Sequence, residues 1–271
     1  MAGDGLLVPE MECPKNSEIC FSGNSGLPDA SLMSGGQNHP ETGSNITVVA
    51  FDINETLLDL SVLDDQFANL FGTSLARRQW FAQMLQLSFV GGLTGEYIDF
   101  STAQHGALQM LADQYKIEAT DRQLDAIVDS MSNLPPHPEV ADALATLASK
   151  DVTIAALGNS LYEVIEAQLT NAGILEFFNL IFSADSVKAL KPAPQPYIEL
   201  ARVLGVQVNE IVLVASHGWD ISGALAAGCT AAFVARPGAS LSPFGMQPSI
   251  VGRDIADVVN QIIADQPERK S

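Results

Sequence analysis

The chain has 271 residues, 47% of them apolar, and sets 13 basic side chains against 32 acidic ones for a formal charge of −19. That length holds one large α/β domain plus a smaller inserted one, and the charge repels phosphate backbones and anionic lipid, so neither nucleic acid nor membrane is an expected partner. No apolar run reaches the roughly 18 residues that span a bilayer, the opening MAGDGLLVPE lacks the basic start and long apolar stretch of a secretory signal, and Cys13, Cys20 and Cys229 are scattered without metal-ligand spacing; a cytoplasmic protein of a reducing compartment is expected.

Residues 1 to 45 are rich in Gly, Ser, Pro, Asn and acids, carry Lys15 as their only basic residue and show no period of two or 3.6; they predict a disordered tail. At ITVVAFD, 46 to 52, a β-branched and apolar run ends in an acid, as a strand buried on both faces of a parallel sheet does. From 62 to 135 no comparable run occurs, but QFANLF, RRQWFAQMLQLSFV and FSTAQHGALQMLADQYK carry apolar residues at helical spacing. This stretch predicts a helical cap domain, closed by the proline-rich turn NLPPHPEV.

Beyond it strands and helices alternate. The pattern predicts a helix at 139–149, a strand at 152–157, a helix at 161–172, a short strand near NLIFSA, and a helix at 195–204. It continues with a strand at 210–215, a helix at 219–227, a strand at 230–235 and a final helix at about 254–264. Such alternation implies βαβ units. The fold class is therefore α/β: a Rossmann-like parallel sheet core domain from 46–61 and 136–265, with the cap inserted after the first strand. Ligands in such folds collect at the carboxyl ends of strands, where Asp52 and Asn54, then Asn159 and Ser160, then Ser216, His217 and Asp220 fall.

Four segments occur in order, FDINETLLD, LGNS, LKPAPQPY and VASHGWDISGALAAGC, with 107, 32 and 29 residues separating Asp52, Asn159, Lys191 and Asp220. Together they resemble the haloacid dehalogenase superfamily, and more narrowly its L-2-haloacid dehalogenase (type II) branch, over about 46 to 265. From the residues themselves, a carboxylate leaving a buried strand needs a partner to stay ionised, and Lys191 is the only basic residue in the four motifs. A fixed, partly dehydrated carboxylate is a competent nucleophile.

The resemblance implies that Asp52 attacks the carbon bearing the halogen and forms an ester that water hydrolyses, converting a small (S)-2-haloacid to a 2-hydroxyacid without cofactor or metal. It places Arg78, Asn159 and Trp219 around the halide, with Asn54, Ser160 and Tyr197 facing the substrate. Thr56 would bond the nucleophile region, Lys191 would hold Asp52 ionised, and Asp220 would bond Lys191 and orient the hydrolytic water. Duller roles stand beside these: Arg78 on a solvated face, Trp219 in simple packing, Asn159 as the N-cap of the next helix. The family's Ser or Thr before Asn159, which binds the substrate carboxylate, is here Gly158, so Ser160 or backbone N–H groups must substitute. The family's Asn in the fourth motif is His217, a donor or a base for water.

The alternative is a phosphatase acting on a small phosphorylated metabolite, with Mg²⁺ held by Asp52, the Asn54 carbonyl and Asp220. It is weakened by Asn54 standing where a general acid is usual and by Ser216 standing at the usual metal-binding acid. A non-catalytic scaffold is the third class. A homodimer is implied by resemblance alone, and the apolar stretch 79–90 suits a dimer face as well as a cap core.

Overall fold

A computed structural model describes residues 46–265; the expected tail lies outside them. Six strands form one parallel sheet: β1 Val48–Phe51, β2 Thr153–Gly158, β3 Leu180–Ser183, β4 Ile211–Ala215, β5 Thr230–Val234 and β6 Ile250–Gly252, in the order β3-β2-β1-β4-β5-β6. β1 sits between β2 and β4, with Phe51 level with Ala156 and Val214. Asp52 and the segments that follow β2 and β4 thus leave neighbouring strands at the same height.

Period-two alternation divides the strands between two apolar layers. Val49, Phe51, Ile154, Ala156, Val212 and Val214 face one layer, where α5 Val140–Ala148, α6 Tyr162–Asn171 and α9 Ile255–Asp265 pack. Val48, Ala50, Ala155, Leu157, Leu213 and Ala215 face the other, covered by α7 Pro194–Leu204 and α8 Gly218–Ala227. Helices on both faces are what strands apolar throughout require. β6 was not expected from the sequence: it is three residues long and Val251 within it is exposed. β1 is also shorter at both ends than its apolar run.

Between β1 and α5 lie α1 Asp64–Phe71, α2 Leu75–Thr94, α3 Phe100–Tyr115 and α4 Asp121–Ser130. The chain leaves and returns side by side, with Asp59 N–H on the Pro135 carbonyl at 2.8 Å and His137 N–H on that of Leu57 at 2.9 Å. α2 buries Ala76, Arg77, Trp80, Phe81, Met84 and Leu85 on one face. The Trp80 ring lies tilted against Phe67, centroids 5.2 Å apart, and donates from Nε1 to the Gln104 carbonyl at 3.0 Å. Much of the stretch 79–90 is therefore buried inside the chain itself. α4 escaped the sequence analysis because only Leu124 and Ile127 of its residues are buried. No described helix is long and apolar enough to cross a membrane.

Candidate active site

Asp52 continues β1, its N–H bonded to the Val214 carbonyl at 3.0 Å. Its Oδ1 accepts from Lys191 Nζ at 2.9 Å and its Oδ2 from Thr56 Oγ1 at 2.6 Å. Thr56 spends its proton there, so the contacts it makes with Ser216, N–H at 2.9 Å and Oγ at 3.1 Å, are ones in which Thr56 accepts. Lys191 is fully buried and directs Nζ at Asp52, at Asp220 Oδ2 (2.6 Å) and at the Leu157 carbonyl (2.8 Å). Three acceptors use all three ammonium protons.

Burial, the largest influence, pushes the Asp52 carboxyl up; Lys191, His217 and the Thr56 hydroxyl together outweigh it and hold it below the usual 3.8. Burial likewise pulls Lys191 down, but Asp220 and Asp52 overcome it and keep the ammonium above the usual 10.5. Asp52 is held ionised and Lys191 stays charged.

Several expected placements are corrected. Tyr197 does not line the cavity at Asp52: it is buried, and its hydroxyl donates to Asp220 Oδ1 at 2.6 Å. Asp220 is fully buried with Lys191 on one oxygen and Tyr197 on the other, so it fixes Lys191 and is not placed to orient a water at Asp52. Asn159 is not a helix cap, since α6 is capped at Leu161 without a side-chain bond. Its amide instead clamps the Lys191 backbone, Oδ1 accepting from N–H at 2.8 Å and Nδ2 donating to the carbonyl at 3.2 Å. One Nδ2 proton remains, on a residue that lines the cavity.

Arg78 is likewise misplaced. Arg78 is exposed, its guanidinium lies against Gly238, and it does not line the cavity at Asp52. Arg77 is the buried one, paired with Asp64 at 2.6 Å and Glu55 at 3.0 Å. The physical reason is helix phase: Arg77 lies three and four residues before the buried Trp80 and Phe81, and Arg78 is turned about 100° from that face.

His217 stands 3.7 Å from Asp52 Oδ2, and its Nε2 is 3.1 Å from the Asn54 carbonyl. A carbonyl only accepts, so Nε2 carries the proton and this nitrogen is a donor, not a base. Phe81 and Trp219 stack on the two sides of the imidazole, with centroids at 5.4 and 5.2 Å and both interplanar angles 19°. The three rings wall a cavity over Asp52 of only about 10 Å³, room for about one water. The same three rings border an outer cavity of about 680 Å³ that Arg77, Arg78 and Arg236 line.

Those contacts also test the metal alternative. The Asn54 carbonyl is taken by His217, both Asp220 oxygens have protein donors, and Asp52 carries Lys191 and Thr56. A divalent cation wants several free oxygens, and this donor set does not fit it. Among the described residues no group of three or more His, Cys, Asp or Glu is placed to hold one.

Sequence reasoning missed three features of the site. Gln168, 1% exposed, lines the cavity from α6, on the stripe of Ile165 and Leu169; a Gln on an apolar stripe was a signal available in the sequence. Phe81 completes the ring stack, with no local signal to mark it. Ile53 and Ile165 fill the space beside Gly158, where a Cβ would meet their Cδ1 atoms at 2.9 and 2.8 Å. Gly158→Ser should therefore cost about 1–3 kcal/mol by overpacking, read as a lowered denaturation midpoint, and Ile165→Val should recover part of it.

A doubly covered parallel sheet, with an ionised aspartate at the end of its first strand and a buried lysine and second aspartate behind it, defines a hydrolase of the haloacid dehalogenase-like class. The model of that family, haloacid dehalogenase-like hydrolase, matches residues 46–228, and the chain belongs to it. It is 30% identical over 193 residues to the (S)-2-haloacid dehalogenase of Xanthobacter autotrophicus, covering 70% of this chain and 76% of that one. It is 28% identical over 222 residues to haloacetate dehalogenase H-2 of Moraxella sp. (strain B), covering 81% and 98%. The solved L-2-haloacid dehalogenase of Xanthobacter autotrophicus with chloropropionic acid covalently bound superposes with a TM-score of 0.75 at 25% identity, covering 80% of this chain and 98% of that one.

Proposed function

We infer that the chain is a hydrolase of the (S)-2-haloacid dehalogenase type, converting a small 2-haloacid to the 2-hydroxyacid through an ester on Asp52. The observation that carries this is the Asp52 carboxylate, ionised by Lys191, with His217 donating to the carbonyl that a metal would need. The relatives named (S)-2-haloacid dehalogenase and the covalent chloropropionate complex support the same chemistry.

In the first step an Asp52 oxygen attacks C2 from the side opposite the halogen, the C2–O bond forms as the C2–halogen bond breaks, and the electron pair leaves as halide. Trp219 lines the cavity and its buried Nε1 has no protein partner among the described residues, so it offers a donor to that anion. In the second step water attacks the Asp52 carbonyl carbon. The 2-hydroxyacid departs with the original aspartate oxygen, one proton is released, and Lys191 receives its carboxylate back. A 2-haloacid needs more room than the inner cavity gives, so its access requires displacement of Phe81, His217 or Trp219 from the wall shared with the outer cavity.

Two measurements test this. Halide release from 2-chloropropionate should survive excess EDTA, and loss of activity under chelation would count against it. Ester formation followed in a single turnover should be flat from about pH 5 to about pH 9, because Asp52 is held below 3.8 and Lys191 above 10.5. The first step transfers no proton, so a limb in the ordinary histidine range would contradict it.

A further inference from the structure

We propose that Gln168 is a positioning residue that turns the Asn54 amide so that its Nδ2, together with Ser160 Oγ, grips the substrate carboxylate. This rests on the haloacid function and adds to it the residues that select the acid. Gln168 Nε2 donates to the Met131 carbonyl at 2.8 Å and to Asn54 Oδ1 at 3.0 Å. A backbone carbonyl accepts only, so the Met131 contact settles which end of the Gln168 amide is nitrogen. That end can pair only with the oxygen of Asn54, which settles the second amide in turn.

The consequence is a donor at the nucleophile. Asn54 lines the cavity, and its Nδ2 has no protein partner among the described residues. Ser160 lines it too, 3% exposed, with its hydroxyl likewise without a protein partner among them. Reversing the Asn54 amide would present an oxygen to an anion. Gln168 keeps this pose, Nε2 shared between the Met131 carbonyl and Asn54, while its own Oε1 has no protein partner among the described residues. Position 158 offers no side-chain donor, and Ile53 and Ile165 crowd the space where one would stand.

The test compares the wild type with Gln168→Leu, Gln168→Glu and Asn54→Ala. Binding of lactate and of lactamide, which lacks the carboxylate charge, is measured by calorimetry, and KM and kcat are measured for 2-chloropropionate. The wild type should prefer lactate. Gln168→Leu and Asn54→Ala should each cut that preference about tenfold, the loss of one hydrogen bond to a charged group, and raise KM more than they lower kcat. Gln168→Glu should cut it further, because a carboxylate has no donor for Asn54 Oδ1 and draws Nδ2 toward itself. Asn54→Ala keeps the test open if a Gln168 variant fails to fold. Parallel losses for lactate and lactamide, an unchanged preference, or a wild type without one would overturn the proposal. A wild type that prefers lactate in this Gln168-dependent way yet releases no halide would instead overturn the dehalogenase function and leave the carboxylate grip standing.

Discussion

Asp52→Asn should abolish halide release, with a fall on the order of 10⁴-fold or more, while leaving the fold nearly as stable as before. The two effects separate because of the charges behind the nucleophile. The buried cluster holds two carboxylates, Asp52 and Asp220, against one ammonium, Lys191. Removing the Asp52 charge leaves a matched Lys191–Asp220 pair at 2.6 Å, with Tyr197 still on Asp220 and the Leu157 carbonyl still on Nζ. An Asn side chain of equal size refills the space, and its carbonyl oxygen can accept from Lys191. Substrate binding and the melting temperature should therefore survive a substitution that removes the attacking group. A variant that keeps turnover, or that fails chiefly by unfolding, would be the contrary result.

Lys191→Met should do the opposite and damage stability as well as activity. It strands two carboxylates in a site where Asp52 is 6% exposed and Asp220 wholly buried. Breaking a buried pair by removing one partner costs about 3–5 kcal/mol, or about 10 °C in melting temperature for a domain of this size. The pH dependence should also shift toward acid. In the wild type the Asp52 pKa is depressed, so its contribution is present above its unfolded value near 3.8 and is lost as pH falls through the folded value. The raised Lys191 pKa contributes below its unfolded value near 10.5 and is lost as pH rises through the folded one. Without the ammonium, burial on Asp52 is opposed only by His217 and the Thr56 hydroxyl, and Asp220, already pushed above its usual value by burial and by Asp52, rises further; both changes move the greatest stability toward acid. The melting temperature of Lys191→Met should climb between about pH 8 and about pH 5 more steeply than that of the wild type, in which the raised Asp220 carboxyl acts in the same direction against a depressed Asp52. A variant that melts like the wild type at both values would show that Lys191 is not the counter-charge.

The sheet was legible because β1, β2, β4 and β5 are continuous apolar runs, and such strands can only be covered on both faces. Their shared polarity also put Asp52, Asn159 and Ser216 at one end. What a linear pattern could not carry was phase. Arg77 and Arg78 are equivalent in sequence until the rotation of α2 is known, and that rotation is set by Trp80 and Phe81 packing among Phe67, Phe71 and His217. The motifs place Tyr197 against the substrate and give Asp220 the Lys191 bond and the water; the structure keeps the Asp220–Lys191 bond and puts Tyr197 behind it, on Asp220. The sequence leaves His217 open between donor and base, and only the distance to the Asn54 carbonyl assigns its Nε2 as a donor. In the sequence Gly158 reads as a lost hydroxyl; that Ile53 and Ile165, far apart in the chain, crowd the same position is visible only in space.

The covalent step can be read from one isotope experiment. Enzyme in excess is mixed with (S)-2-chloropropionate in ¹⁸O-water for a single turnover, and the masses of the product and of the peptide bearing Asp52 are measured. Attack by Asp52 followed by hydrolysis at its own carbonyl predicts unlabelled 2-hydroxypropionate and one ¹⁸O in the aspartate. Labelled product from that first turnover, with an unlabelled peptide, would mean that water and not Asp52 displaces the halide.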